Sequence, residues 1–184
     1  QLQQIIALNT IFPKNIELGD AQSMNEYAGI VLNSQVPGVP PKKGNDYYKM
    51  AIDLGLPIAM INLADNYASG NHIKKDKVEA LRLYKMAVDT GAYYAIHHYA
   101  EALRNGIGTN KNPQEAIRYL KMGMERGDDV SYFDYAKMVE KGEGVKADKD
   151  EALRCYKKAY NLGYYDAKKE YNRLVNKSQC CEIY

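Results

Sequence analysis

Apolar residues recur along this chain at helical spacing, and the helical stretches themselves recur. Tyr27, Leu63, Tyr99 and Tyr135 are each followed by alanine (Ala28, Ala64, Ala100, Ala136) and, three residues on, by Val31, Tyr67, Leu103 and Val139, with Tyr171 in the same register. Large and small residues at i, i+1 and i+4 make one apolar face of a helix. Gly19, Gly55, Gly91, Gly127 and Gly163 stand 36 residues apart between these runs. Three segments ending on that ladder read EALRLYKMAVDTG (Glu79 to Gly91), EAIRYLKMGMERG (Glu115 to Gly127) and EALRCYKKAYNLG (Glu151 to Gly163), and a weaker copy reads KGNDYYKMAIDLG (Lys43 to Gly55). A fixed period of this length signals hairpins that bury their apolar faces against one another. The predicted fold is all-α, a right-handed α-α superhelix (solenoid) of 36-residue helix-turn-helix repeats.

Each unit holds a helix A and a helix B. The A helices are expected near 21–33, 57–69, 93–105, 129–141 and 165–177, and the B helices near 43–53, 77–89, 113–125 and 149–161. Helix B opens on Asp76-x-x-Glu79, Asn112-x-x-Glu115 and Asp148-x-x-Glu151. These are capping boxes, in which the first side chain accepts from an orphan amide and the Glu reaches back. Pro113 falls at the first helical position, and the ladder glycines Gly55, Gly91, Gly127 and Gly163 supply left-handed ends. The predicted division is 1–19 (capping helix or remnant of a preceding repeat), repeats 20–55 (degenerate), 56–91, 92–127 and 128–163, and a half repeat with tail, 164–184. In the first segment, Leu2 to Phe12 reads as a short amphipathic helix stopped by Pro13. Ala80, Ala116, Ala152 and the equivalent Gly44 let neighbouring helices approach closely. Tyr48, Tyr84 and Tyr156, also in register, read as half-buried spacers whose hydroxyls reach an edge.

Composition narrows the function. Lys and Arg number 25 against 23 Asp and Glu, spread along the chain; a nucleic-acid surface, which needs clustered cations, is not expected. No stretch approaches the roughly 18 apolar residues of a membrane span, so a soluble chain is expected. The 3 cysteines are Cys155 and the adjacent Cys180 and Cys181. Their odd number and spacing suit a reducing compartment, hence a cytoplasmic location. Cys155 reads as a small buried hydrophobe. Cys181-Glu182-Ile183-Tyr184 resembles a prenylation box with Cys180 available for a second lipid; Tyr is a poor final residue and no polybasic run precedes it, so C-terminal lipidation ranks low.

An A-rich helix, Gly-x-Gly-Val ahead of a capping Asp, then Glu-Ala-Leu-x-x-Tyr-x-x-Ala and a closing Gly resembles the Sel-one-like repeat (SLR) family, relatives of tetratricopeptide repeats. Gly142-Glu143-Gly144-Val145 with Asp148 and EALRCYKKA is the fullest match, and the resemblance runs from about Asp20 to the end. It implies a scaffold or adaptor that organises protein complexes. Two departures stand out: Ser34 replaces a turn glycine, and VPGVPPKK (Val36 to Lys43) replaces a capping box, so the first hairpin is expected to be distorted or its loop used as a contact. The disulfide-rich branch of the family links cysteines inside every repeat; this chain does not, and no activity is carried over from it.

The A helices are expected to line a concave groove. Positions three, six and ten after a ladder glycine should face it: Ile58, Ile61 and Asp65; Tyr94, His97 and Glu101; Val130, Phe133 and Lys137. Apolar and aromatic side chains with a charged rim suit a peptide or partner helix; sealing adjacent repeats is an equal alternative. No nucleophile with a base, carboxylate pair or metal cluster is recognisable, so neither catalysis nor a cofactor nor a metal is expected. Adjacent His97 and His98 point about 100° apart on a helix and His72 lies in a loop. A protein-interaction scaffold of unknown partner is the leading reading, a structural subunit of a larger assembly or filament the alternative, and an enzyme or small-ligand protein the last.

Overall fold

The structure, a computed structural model, describes residues 10–33 and 36–181, with 177–181 described by backbone alone. The expected box at 181–184 thus lies almost wholly outside the described residues, as do Ser34 and residues 2–9 of the first segment. Every regular element among the described residues is helical. The chain forms two compact units, Gln1–Gly91 and Ala92–Tyr184. The first holds α1 (Phe12–Glu17), α2 (Ala21–Leu32), α3 (Lys43–Asp53), α4 (Pro57–Ser69) and α5 (Lys77–Asp89). The second holds a 3₁₀ turn (Tyr93–Ala95), α6 (Ile96–Asn105), α7 (Pro113–Glu125), α8 (Asp129–Lys141), α9 (Lys149–Leu162) and α10 (Ala167–Cys181). Consecutive helices pair as hairpins in both units, and within the second α6 also touches α8.

Helix B starts where the sequence places it, but only half of each capping box forms. Asp76 Oδ1 accepts from the Glu79 amide at 3.0 Å, Asn112 Oδ1 from Glu115 at 3.1 Å and Asp148 Oδ1 from Glu151 at 2.9 Å. None of the three glutamates takes the cap backbone amide; they pair with Arg82, Arg118 and Arg154 one turn on, and Glu115 also accepts from Asn112 Nδ2 at 3.4 Å. The reason is that the cap amides are already taken. Asp76 N donates to Tyr67 O at 2.9 Å, Asn112 N to Leu103 O at 2.8 Å and Asp148 N to Val139 O at 3.1 Å. Each hairpin is therefore clamped by one tertiary hydrogen bond from the B-helix cap to the A helix, repeated at the repeat spacing. The equivalent position in the first hairpin is Pro40, which has no N–H to give.

That first hairpin closes by other means. Val36, 7% exposed, joins Tyr27 and Val31 in a core cluster on which Phe12, Ile16 and Val39 also pack. Val36 and Val39 of the VPGVPPKK segment thus pack into the core while Pro37, Gly38, Pro40, Lys42 and Lys43 stay exposed, and Ile16 and Phe12 of α1 pack on the same cluster. Pro13 does not stop a helix here; it sits in the first turn of α1, where a missing N–H costs nothing. Asn45 of α3 is buried and receives a 2.8 Å bond from Asn66 Nδ2, while its own Nδ2 donates to the carbonyls of Asn71 and His72 at 3.4 and 3.3 Å. This ties α3 to the turn after α4, where His72 adopts φ 53°.

Small residues set the distance between paired helices. Ala80, Ala116 and Ala152 are completely buried. At the equivalent Gly44 a Cβ would meet the Ala28 carbonyl at 2.6 Å and Leu32 Cγ at 2.5 Å, so α2 and α3 pack more closely than alanine allows. The ladder glycines take φ of 79°, 82°, 86° and 77° at Gly19, Gly55, Gly91 and Gly127, and 120° at Gly163. Of the turn glycines, Gly144 has the strictest demand: its φ is 75° and a Cβ would lie 2.7 Å from the Pro113 carbonyl carbon. In the second unit Cys155 is buried, 4% exposed, and burial pushes its thiol up to about 12. The imidazole of His98 is driven down to about 4 by burial, with His97 adding to the effect.

Two outcomes follow from this packing. Gly44→Ala should destabilise the first unit by about 1–3 kcal/mol through overpacking, whereas Gly29→Ala, whose Cβ would meet only Tyr48 Oη at 3.6 Å, should be neutral or stabilise by about 0.5–1 kcal/mol through helix propensity. Equal midpoints for the two variants in urea unfolding would contradict the close α2–α3 approach. His98 binds its proton less readily when folded than when unfolded, so its contribution is intact above about pH 6.5 and is lost as pH falls toward 4. Melts of the wild type should weaken by on the order of 1 kcal/mol at pH 5, and His98→Gln should flatten that dependence.

Candidate functional site

In the second unit the facing sides of α6 and α8 leave a cavity of about 220 Å³ above α7. Leu120 of α7, Ala100 of α6, and Val130 and Met138 of α8 supply its apolar surface; Phe133 and Tyr164 flank it, and His97, Glu101, Arg104, Asp134 and Lys137 carry its polar groups. The helical period explains the convergence, because residues three and four apart project from one face. His97, Ala100, Glu101 and Arg104 are such a series on α6, and Val130, Phe133, Asp134, Lys137 and Met138 another on α8. The Phe133 and Tyr164 rings pack at a tilt of 40° with centroids 4.7 Å apart, and Lys137 Nζ lies 5.2 Å from the Phe133 centroid.

Most of the charges are already engaged. Arg104 is held by both carboxylate oxygens of Glu143, one bond at 3.1 Å and the other shorter, which raises the guanidinium's pKa and lowers that of Glu143. Lys137 Nζ is 3.6 Å from Asp134. Burial raises the pKa of Asp134, opposed by Lys137 and His97. Glu101 is exposed and accepts no side-chain hydrogen bond among the described residues.

The cavity exists because of one departure from the repeat. B helices present Tyr48, Tyr84 and Tyr156 at equivalent positions, where the third repeat has Leu120. The tyrosines are buried, with exposures of 6%, 5% and 1%. The hydroxyl of Tyr84 donates to Asp65 of α4, and Asp65 is the repeat equivalent of Glu101. In the second unit itself, the space beside Tyr156 is closed: its hydroxyl donates to Glu140 at 3.0 Å, and Arg173 of α10 grips the same carboxylate at 2.6 and 2.7 Å. Leu120 has neither the ring length nor the hydroxyl to do this.

Of the residues expected on the A-helix face, His97, Glu101, Val130, Phe133 and Lys137 come together at this cavity. Tyr94 does not. It precedes α6 in the 3₁₀ turn, 38% exposed, with its ring edge-on to Tyr93 at 6.0 Å; the turn interrupts the helix expected over 93–105 and takes Tyr94 off its face. In the first unit Ile58 is half-buried, Ile61 is a core residue at 2% exposure, and Asp65 is bonded to Tyr84. Ile61 thus has no surface to offer a partner: a branched apolar side chain at that position turns into the hairpin. His97 and His98 are brought together, with ring centroids 3.8 Å apart, rather than pointing apart, because side-chain rotation offsets the backbone's helical turn. Arg104, Asp134 and Tyr164 also line the cavity without falling on the register of positions three, six and ten; the first two lie one helical turn from those positions, and Tyr164 comes from the corner after α9. No helix among the described residues is long and apolar enough to cross a membrane.

Similarity to known proteins agrees with this architecture. A family model for the Sel1 repeat matches residues 21–56, 57–91, 94–128 and 129–164. A Sel1 repeat protein from Oxalobacter formigenes is 26% identical with a TM-score of 0.75, the match covering 85% of this chain and 64% of that one. A protective antigen of uropathogenic Escherichia coli strains, with an SLR fold, is 21% identical at a TM-score of 0.75, over 90% of this chain and 36% of that one. Helicobacter pylori cysteine rich protein B shares the fold at 17% identity and a TM-score of 0.52, over 68% of this chain and 95% of that one. The chain therefore spans less than two thirds of the first two of these proteins. No curated protein matches it. With a 36-residue hairpin period, clamped B-helix caps and four matched repeats, the chain belongs to the Sel1 repeat family.

Proposed function

We propose that this chain is a protein-interaction scaffold or adaptor that contacts its partner through the α6–α8 face of the second unit. Sel1 repeats in general are helical protein-interaction modules built on a non-catalytic scaffold fold. The observation that carries the reading is the cavity itself: five residues expected from the repeat register to meet a partner converge on an opening with an apolar floor and a charged rim. Such a pocket takes up an anchoring side chain, and buried anchors of this kind supply most of the energy of a protein contact. The charged rim would set orientation and partner choice more than affinity.

Leu120→Tyr tests this without disturbing the fold, because tyrosine is the residue three other repeats use at that position. The variant should melt at or above the wild-type temperature. A protein that co-purifies natively with the wild type, identified by mass spectrometry, should fall by at least about tenfold, the equivalent of about 1.4 kcal/mol. Unchanged recovery of that protein with both Leu120→Tyr and Glu101→Lys would reject the cavity as the contact.

A further inference from the structure

The missing tyrosine also indicates what enters the cavity, given the reading of this face as a partner contact. We propose that the partner inserts a tyrosine side chain, seated where the third repeat lacks its own, with the phenol hydroxyl donating to the Glu101 carboxylate.

Three observations converge on this occupant. First, the equivalent space is filled in the other repeats by an intrachain tyrosine, so its shape and polarity are those of a phenol. An apolar cavity of about 150 Å³ already admits benzene, and this one measures about 220 Å³. Second, an acceptor waits at the correct place. Asp65, the equivalent of Glu101, accepts the Tyr84 hydroxyl, whereas Glu101 accepts no side-chain bond among the described residues. Third, the walls favour a neutral aromatic. Phe133 and Tyr164 offer ring faces and edges, 4.7 Å apart between centroids, for stacking or edge contact. The cations Arg104 and Lys137 beside the opening disfavour a partner lysine or arginine. Both are already paired, with Glu143 and Asp134, so they offer an anion such as a carboxylate little that is free.

Phenylalanine would fill the space but bring no donor to the exposed Glu101 carboxylate, so the phenol gains one charge-assisted hydrogen bond over it and the expected preference is modest.

The test is an amide-resolved NMR titration of the full chain with N-acetyl-tyrosinamide, N-acetyl-phenylalaninamide and N-acetyl-lysinamide. The tyrosine amide should give saturable shifts at Ala100, Glu101, Val130 and Phe133, binding at least about threefold more tightly than the phenylalanine amide and more tightly still than the lysine amide. Leu120→Tyr should abolish these shifts. Glu101→Leu should erase the preference for tyrosine over phenylalanine while both still bind. The proposal is overturned by absence of saturation with the tyrosine amide, by tighter binding of the lysine amide, or by shifts that persist in Leu120→Tyr. If Leu120→Tyr releases the co-purified protein although the tyrosine amide fails, the contact face stands and its occupant is not tyrosine. Tyrosine-amide binding with undiminished partner recovery in Leu120→Tyr overturns both.

Discussion

A single hydrogen bond, repeated three times, holds the geometry on which everything else rests. The amide of the B-helix cap donates to a carbonyl near the end of the A helix, at Asp76 and Tyr67, Asn112 and Leu103, Asp148 and Val139. A cap residue normally leaves its own amide for the glutamate of a capping box. Here the tertiary bond takes it, and the glutamate is released to pair with an arginine on the surface. Those surface pairs add little stability by themselves. What the clamp fixes is the separation of A from B at the turn, while Ala80, Ala116 and Ala152 fix it along the helices. With both ends of the spacing set, the side chains between the helices have little choice of length.

That constraint gives the tyrosine register its meaning. A phenol ring at Tyr84 or Tyr156 spans from helix B to the far edge of helix A and ends on a carboxylate, at Asp65 or Glu140. Because the helices cannot close in to compensate, a shorter side chain in the same position leaves a void, as core substitutions generally do when the surroundings relax only partly. Leu120 is that side chain. Its cavity is not sealed inside the core but opens between α6 and α8, so the residues lining it are available as a surface. The first unit shows the same logic in reverse. There Pro40 cannot provide the clamp, and the hairpin is closed by Val36, Val39 and the Asn45–Asn66 bond together with a glycine, Gly44, that admits a closer approach.

Much of this was legible in the sequence. The helix starts at Lys77, Pro113 and Lys149 coincide with the capping pattern, and the hairpin pairing follows from the period. What the register could not give was the local substitution of one interaction for another. Nothing in Asp-x-x-Glu says that the cap amide has a tertiary acceptor, since the acceptor carbonyl belongs to the backbone and carries no sequence signature. Likewise the start of α6 slipped to Ile96 behind a 3₁₀ turn, which moved Tyr94 off the helix face while His97 and Glu101 stayed on it. Ile61 and His97 share a repeat position, yet one is core and the other lines a cavity: an apolar branched side chain gains by turning inward, and an imidazole does not.

The cavity's signal was present but had to be read as an absence. Tyr48, Tyr84 and Tyr156 establish what the position requires, and the gap at residue 120 is as informative as the three matches. In a repeat protein the other copies act as internal controls, each showing the side chain that fits when no outside group is needed. The third repeat omits the filler at Leu120 and keeps, at Glu101, a carboxylate where the second repeat has Asp65, the acceptor of Tyr84. In repeat arrays, then, a position at which a recurring packing residue shortens beside a carboxylate is a place where space is left open, and the proposed contact rests on that comparison between copies.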